Sequence, residues 1–141
     1  MKKVAVIYWS GTGNTEEMAK AVAEGAKNDQ TEVSLLSVSE ATADTVKNAD
    51  AIALGCPSMG AEVLEESEME PFVASIESLV SGKSLALFGS YGWGNGEWMQ
   101  DWSARMSEHG ASLVAEGLIV MNNPDDSALE ECKALGRKLN G

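Results

Sequence analysis

"VAVIYWSGTGNTEEMAKAVAEGAKN", residues 4–28, passes from an apolar run through two glycines, three hydroxyls and an asparagine into a segment of helical period. The run from Lys3 to Tyr8 is almost unbroken in apolar character, which suits a strand covered on both faces. Beyond the glycines, Met18, Val22, Gly25 and Ala26 share one side of a helix. Glutamates stand in its first turn and lysines later, as the helix dipole prefers. Strand, tight turn and helix in that order make one βα unit.

The same grammar recurs along the chain. Apolar runs at residues 32–37, 51–55, 84–89 and 113–120 are predicted strands, and "AIALG" and "LALFG" have the continuous character of central parallel strands. Helices are expected over residues 70–82, with Pro71 in the first turn and Gly82 as the stop, over 96–109 and over 125–139. A shorter one fits between Glu40 and Asn48. Glu116 and Gly117 in the middle of the fifth run predict a bulge or break. The expectation is a single domain over residues 1–141, an α/β doubly wound fold with a five-stranded parallel sheet and helices on both faces.

Composition narrows the function. With 22 acidic and 10 basic residues the net charge is -12, which disfavours nucleic acid and anionic membrane surfaces; it either steers partners with basic faces to the protein or simply solvates the surface. No apolar run reaches transmembrane length and the N-terminus lacks a cleavage pattern, so a cytoplasmic protein is expected. Cys56 and Cys132 lack metal spacing and read as reduced thiols. His109, the one histidine, stands just before Gly110 where a helix would end, and is expected to be structural. Zinc and Cys-His or Ser-His chemistry therefore lose most of their support.

In sheets of this type ligands bind beyond the carboxyl ends of the strands, where strand order reverses. The loops after the first, third and fourth strands are "SGTGNT", "CPSMGAEVLEESE" and "SYGWGNGEW". In the first, Gly11 and Gly13 permit a tight turn, and the hydroxyls of Ser10, Thr12 and Thr15, the Asn14 amide and free backbone N–H groups surround an anion with donors. A triphosphate loop needs a lysine that is absent, and Glu16 stands where a dinucleotide loop needs its third glycine. A terminal monophosphate fits better; the alternative is an ordinary strand-to-helix turn capped by Thr or Asn.

The loop after the fourth strand sets Tyr91, Trp93 and Trp98 among Gly92, Gly94 and Gly96, which suggests stacking on a flat ring. Trp98, inside the expected helix, is assigned to the core and Trp93 to the ligand. In the loop after the third strand, Met59 either covers an aromatic face or plugs the core. The glutamates at positions 62, 65, 66, 68 and 70 read as a solvated face beside the site.

"YWSGTGNT", "GCPSMGAEVLEESEMEPF" and "LFGSYGWGNGEWMQDW" together resemble the phosphate loop and the two cofactor-flanking loops of the short-chain, clostridial-type flavodoxins, over essentially the whole chain. The resemblance implies strand order 2-1-3-4-5 and non-covalent FMN. It implies that Ser10, Thr12, Asn14 and Thr15, with the backbone of Gly11 and Gly13, hold the FMN phosphate. Trp93 matches the aromatic stacked on the isoalloxazine ring, Met59 the residue over its other face, and Glu62 the carboxylate at its pyrimidine edge. Ser90 and Gly92, in the loop with Tyr91 and Gly94, match backbone near the ring and ribityl chain. Pro57, Ser58 and Ala61 depart from the usual residues around Gly60.

The function so implied is a low-potential one-electron carrier, not an enzyme, shuttling between semiquinone and hydroquinone as a monomer between ferredoxin-like partners. A flip of the Gly60–Ala61 peptide toward flavin N5 would stabilise the neutral semiquinone. The alternative is an FMN-dependent quinone or nitro reductase of the same fold. A receiver-type signalling domain is disfavoured because no acidic pair follows the first strand.

Overall fold

A computed structural model of the chain describes residues 2–11, 13–59, 63–92 and 94–140. The apolar runs form strands β1 (Lys2–Tyr8), β2 (Thr31–Ser37), β3 (Ala51–Gly55) and β4 (Ser84–Tyr91); the fifth run forms two short ones, β5 (Ser112–Leu113) and β6 (Leu118–Met121). All pairings between these strands are parallel, in the order β2-β1-β3-β4-β5, with β6 continuing beside β4. The expected doubly wound order is therefore present, and its fifth strand is broken where Glu116 and Gly117 predicted. Leu85 faces Leu113 and Phe88 faces Leu118, so the edge carries two residues more than β4 over this interval. A Cβ on Gly117 would lie 2.4 Å from Met99 Cγ, so the break lets the neighbouring helix close on the edge.

Between the strands lie α1 (Asn14–Ala26), α2 (Ala43–Asn48), α3 (Met69–Ile76), α4 (Glu97–Glu108) and α5 (Asp126–Lys138). Helices α1 and α5 pack on one face over Val4, Val6, Ala51, Ala53, Ala86 and Phe88. The other three pack on the opposite face over Ile7, Ile52, Leu54, Leu85 and Leu87. Strand alternation thus puts Ala51, Ala53 and Ala86 under α1 and α5, and the isoleucines and leucines of β1, β3 and β4 under the other three helices. At the α1–α5 crossing a Cβ on Gly25 would fall 2.0 Å from the Lys133 carbonyl oxygen, and one on Gly136 would fall 2.0 Å from that of Val22. Glycine alone lets these two backbones meet.

Helix α3 stops at Ile76, six residues before the expected stop at Gly82. The next residues form a tighter turn, with Leu79 N donating to the Ile76 carbonyl and Lys83 N to that of Val80. This buries Val80 and returns the chain to β4, while Gly82 takes φ 78° and donates its N–H to Gly110. The tertiary return outweighed the helical period read from "VASIESLV".

Arg105 of α4 clamps α3 to α4. Its guanidinium donates to both Glu70 oxygens at 2.7 and 2.8 Å and through Nε to Glu77 at 2.6 Å. His109, just past the helix end as expected, places Nε2 3.2 Å from the same Glu77 carboxylate. The hydrogen bond from Arg105 holds the Glu77 carboxyl below the usual range. A carboxyl whose pKa is lower folded than unfolded contributes fully above the unfolded value of about 4.3, and the contribution is lost as pH falls through the folded value. Glu77→Gln is therefore expected to cost about 1 kcal/mol at pH 7. Urea titrations should show its deficit against the parent shrinking toward pH 3.

Candidate cofactor site

The carboxyl ends of β1, β3 and β4 surround a cleft of ≈ 320 Å³, a size at the lower end of small-molecule sites. Gly11 and Asn14 line it from the first loop, Pro57, Ser58 and Met59 from the third-strand loop, and Ser90, Tyr91 and Gly92 from the fourth. None of the described lining residues carries a formal charge. The sequence reading thus places eight of its site residues here. Ser10, Gly13, Thr15 and Gly94, the last at φ 89°, are not among the lining residues. Thr12, Gly60, Ala61, Glu62 and Trp93 lie outside the described residues.

Two lining residues were missed. Trp9 follows β1, and its ring reaches to 3.1 Å from where a Gly11 Cβ would sit. Asn122 follows β6 at φ 58°, a left-handed conformation that asparagine tolerates better than most residues, and donates its N–H to the Tyr91 carbonyl at 2.7 Å. Its position past the carboxyl end of the last strand was the available signal.

Helix α1 begins without a side-chain cap among the described residues. Its N-cap is Gly13 at φ 99°, whose N–H donates to Ser10 Oγ at 3.1 Å. The helical ladder opens with Glu17 N donating to the Gly13 carbonyl. The amides of Asn14, Thr15 and Glu16 precede that bond, at the positive end of the helix dipole and beside the cleft. A phosphate group fits there without a cation.

Ser90 joins the loops. Thr15, only 1% exposed, shares a hydrogen bond of 3.2 Å between its hydroxyl and that of Ser90. Ser90 in turn accepts a 3.0 Å bond from Ser58 N through its carbonyl. The first, third and fourth loops are therefore tied through one residue. Tyr91 leans on Trp98, with ring centroids 5.7 Å apart and planes tilted by 46°. Trp98 is in the core, as expected, and donates Nε1 to the Cys56 carbonyl at 3.2 Å.

The third-strand loop is closed by a pair of backbone bonds between Met59 and Val63, each 3.0 Å. Behind it, Glu65 departs from the solvated face read for the glutamates: it is 7% exposed. Burial by itself would raise the Glu65 pKa, but hydrogen bonds from the Ser67 hydroxyl and the amides of Met69, Ser67 and Glu68 hold it below the usual range. Cys56 beside it is buried, which pushes its thiol up to about 12 and makes it inert at neutral pH.

A parallel sheet in the order β2-β1-β3-β4-β5, with an uncapped helix start and an uncharged cleft across the ends of β1, β3 and β4, is the architecture of α/β proteins that bind a ligand where strand order reverses. The sequence profile described as "Flavodoxin" matches residues 6–136, and the chain belongs to the flavodoxin family. It is 48% identical over 134 residues to a flavodoxin of Clostridium beijerinckii, covering 95% of this chain and 96% of that one. To a flavodoxin of Megasphaera elsdenii it is 44% identical over 133 residues, covering 94% and 95%. The solution structure of two-electron reduced M. elsdenii flavodoxin superimposes with a TM-score of 0.87 at 43% identity, over 96% of this chain and 97% of that one. The chain is thus an FMN-binding electron carrier and not an enzyme with a substrate of its own.

Proposed function

We propose that this chain moves single electrons at low potential between redox proteins with basic docking faces, acting as a single-domain cytoplasmic monomer. FMN lies across the cleft with its phosphate on residues 10–15 and its ring between the loops at 57–62 and 90–94. The observation that carries this reading is the start of α1, whose amides before the Glu17 bond meet an uncharged cleft. Ser10, Thr12, Asn14 and Thr15 complete the phosphate cradle. Met59 and Trp93 enclose the ring, and Glu62 meets its pyrimidine edge. Bound FMN supplies the one-electron chemistry.

The chain's own residues orient the cofactor and shape its field. No cation lines the cleft among the described residues, and the net charge is -12, so adding negative charge at the ring is disfavoured and the potential is low. A shift of 59 mV corresponds to about 1.4 kcal/mol for one electron. The two relatives matched over nearly their whole length are named flavodoxins, which leaves the reductase reading unfavoured.

The test is to titrate the cofactor-free chain with FMN and then reduce it stepwise while recording absorbance. A one-to-one complex and two resolved one-electron steps are expected; failure to bind FMN, or a direct two-electron step, overturns the reading. Electron transfer from the reduced protein to a basic acceptor protein should slow as ionic strength rises. A salt-independent or rising rate would remove the basic-partner proposal.

A further inference from the structure

Thr15, Ser90 and Glu65 are the polar or charged residues buried among the described ones. The first two join loops at the cleft. None of the Glu65 hydrogen bonds goes directly to a lining residue, yet every polar group it has is engaged. Its Oε1 accepts from the amides of Glu68 at 2.7 Å and Met69 at 3.0 Å. Its Oε2 accepts from the Ser67 amide at 2.8 Å and from the Ser67 hydroxyl. Its own N–H donates to Cys56 Sγ at 3.4 Å, and its carbonyl accepts from Glu70 N at 2.8 Å. No lysine or arginine pairs with it among the described salt bridges.

These bonds lie at the base of the segment that carries Pro57, Ser58 and Met59 into the cleft. The incoming leg is fixed at Cys56, whose N–H donates to the Phe88 carbonyl at 3.1 Å. The outgoing leg leaves the Met59–Val63 pair and reaches Glu65 two residues later. There the carboxylate binds the first amides of α3, and α3 is held to α4 by Arg105. A buried anion without a counter-cation is costly unless its hydrogen bonds are complete, and four donors to one carboxylate complete them.

We infer that Glu65 is a positioning residue for the cofactor: its carboxylate fixes the leg that leaves Val63, and through the Met59–Val63 bonds it sets where Pro57, Ser58 and Met59 line the cleft. The inference rests on the cleft being the FMN site. A glutamine in its place cannot serve all four donors, since its amide nitrogen meets an N–H instead of accepting from it. The leg at Val63 then loosens even though the residue contacts no ligand.

The experiment uses the full chain with Glu65→Gln, with Glu66→Gln as an exposed neighbour and Glu77→Gln as a variant that weakens the α3–α4 clamp alone. In the cofactor-free protein, amide hydrogen exchange at Met59 and Val63 should speed up by about tenfold or more in Glu65→Gln, relative to core amides of β3. In the same variant the FMN dissociation constant should rise by about tenfold. The separation between its two one-electron midpoint potentials should also change. Glu66→Gln and Glu77→Gln should leave all three readings at parental values. If Glu65→Gln fails to fold, Glu65→Asp, which keeps the charge but shortens the reach, should show the same effects at smaller size. Exchange at Met59 and Val63 no faster than in Glu77→Gln, or an unchanged dissociation constant and potential separation, overturns the inference. If the parent chain binds no FMN, the site reading falls, while the exchange measurement still tests the anchor.

Discussion

Asn14→Asp weakens FMN binding by about a hundredfold or more while leaving the cofactor-free chain at least as stable as the parent. The side chain is nearly isosteric, so the change is one of charge at a residue that opens α1 and lines the cleft. For the empty protein, a carboxylate in the first turn of a helix is favourable by about 0.3–1 kcal/mol. For a bound phosphate the sign reverses. Two unit charges 4 Å apart repel by about 4 kcal/mol at an effective dielectric of 20, and a hundredfold loss needs only about 2.7 kcal/mol. Riboflavin, which has the ring without the phosphate, should bind the variant within about threefold of the parent. Fluorescence titrations with both ligands and thermal melts of the empty chain give the three readings. Equal losses for FMN and riboflavin would move the phosphate away from this helix.

Gly136→Ala is expected to be strongly damaging to the folded chain. A Cβ there would sit 2.0 Å from the Val22 carbonyl oxygen and 2.8 Å from the Ala26 amide nitrogen, both backbone atoms of α1. Helix propensity alone favours alanine over glycine by about 1 kcal/mol. Overpacking against atoms that cannot rotate away costs about 3 kcal/mol or more, so the clash decides the sign. Against a total stability of about 5–15 kcal/mol, that loss should lower the melting temperature by roughly 10 °C. Urea titration should show a lower midpoint with an unchanged slope. A neutral or stabilised variant would mean that α1 and α5 sit farther apart than the crossing described here.

The sequence made legible whatever depends on local pattern. "AIALG" gave β3 to the residue because each of its five positions is buried, leaving no polar residue to blur the ends. Gly117 announced the break in the edge strand, and Trp98 its place in the core. What it left unreadable depends on distant partners. The end of α3 at Ile76 is set by the return of the chain past Val80 to β4, which helical period does not encode. Among the glutamates at 65, 66, 68 and 70, nothing local marks Glu65 as the buried one; its environment is made by the fold of the turn that follows it. Asn122 reaches the cleft because β6 is in register with β4 through Met121 and Tyr91, a pairing 30 residues apart in sequence.

The interrupted rim of the sheet bears on how the protein behaves in a crowd of its own kind. An outer strand that runs straight is a template on which another chain lays down a strand of its own, and polymers begin that way. Here the rim is in register for two residues, loses step, and is in register again for four. No long straight ladder can form along it, and a net charge of -12 keeps copies apart at range. On this side of the sheet, therefore, another chain finds no template for a long strand.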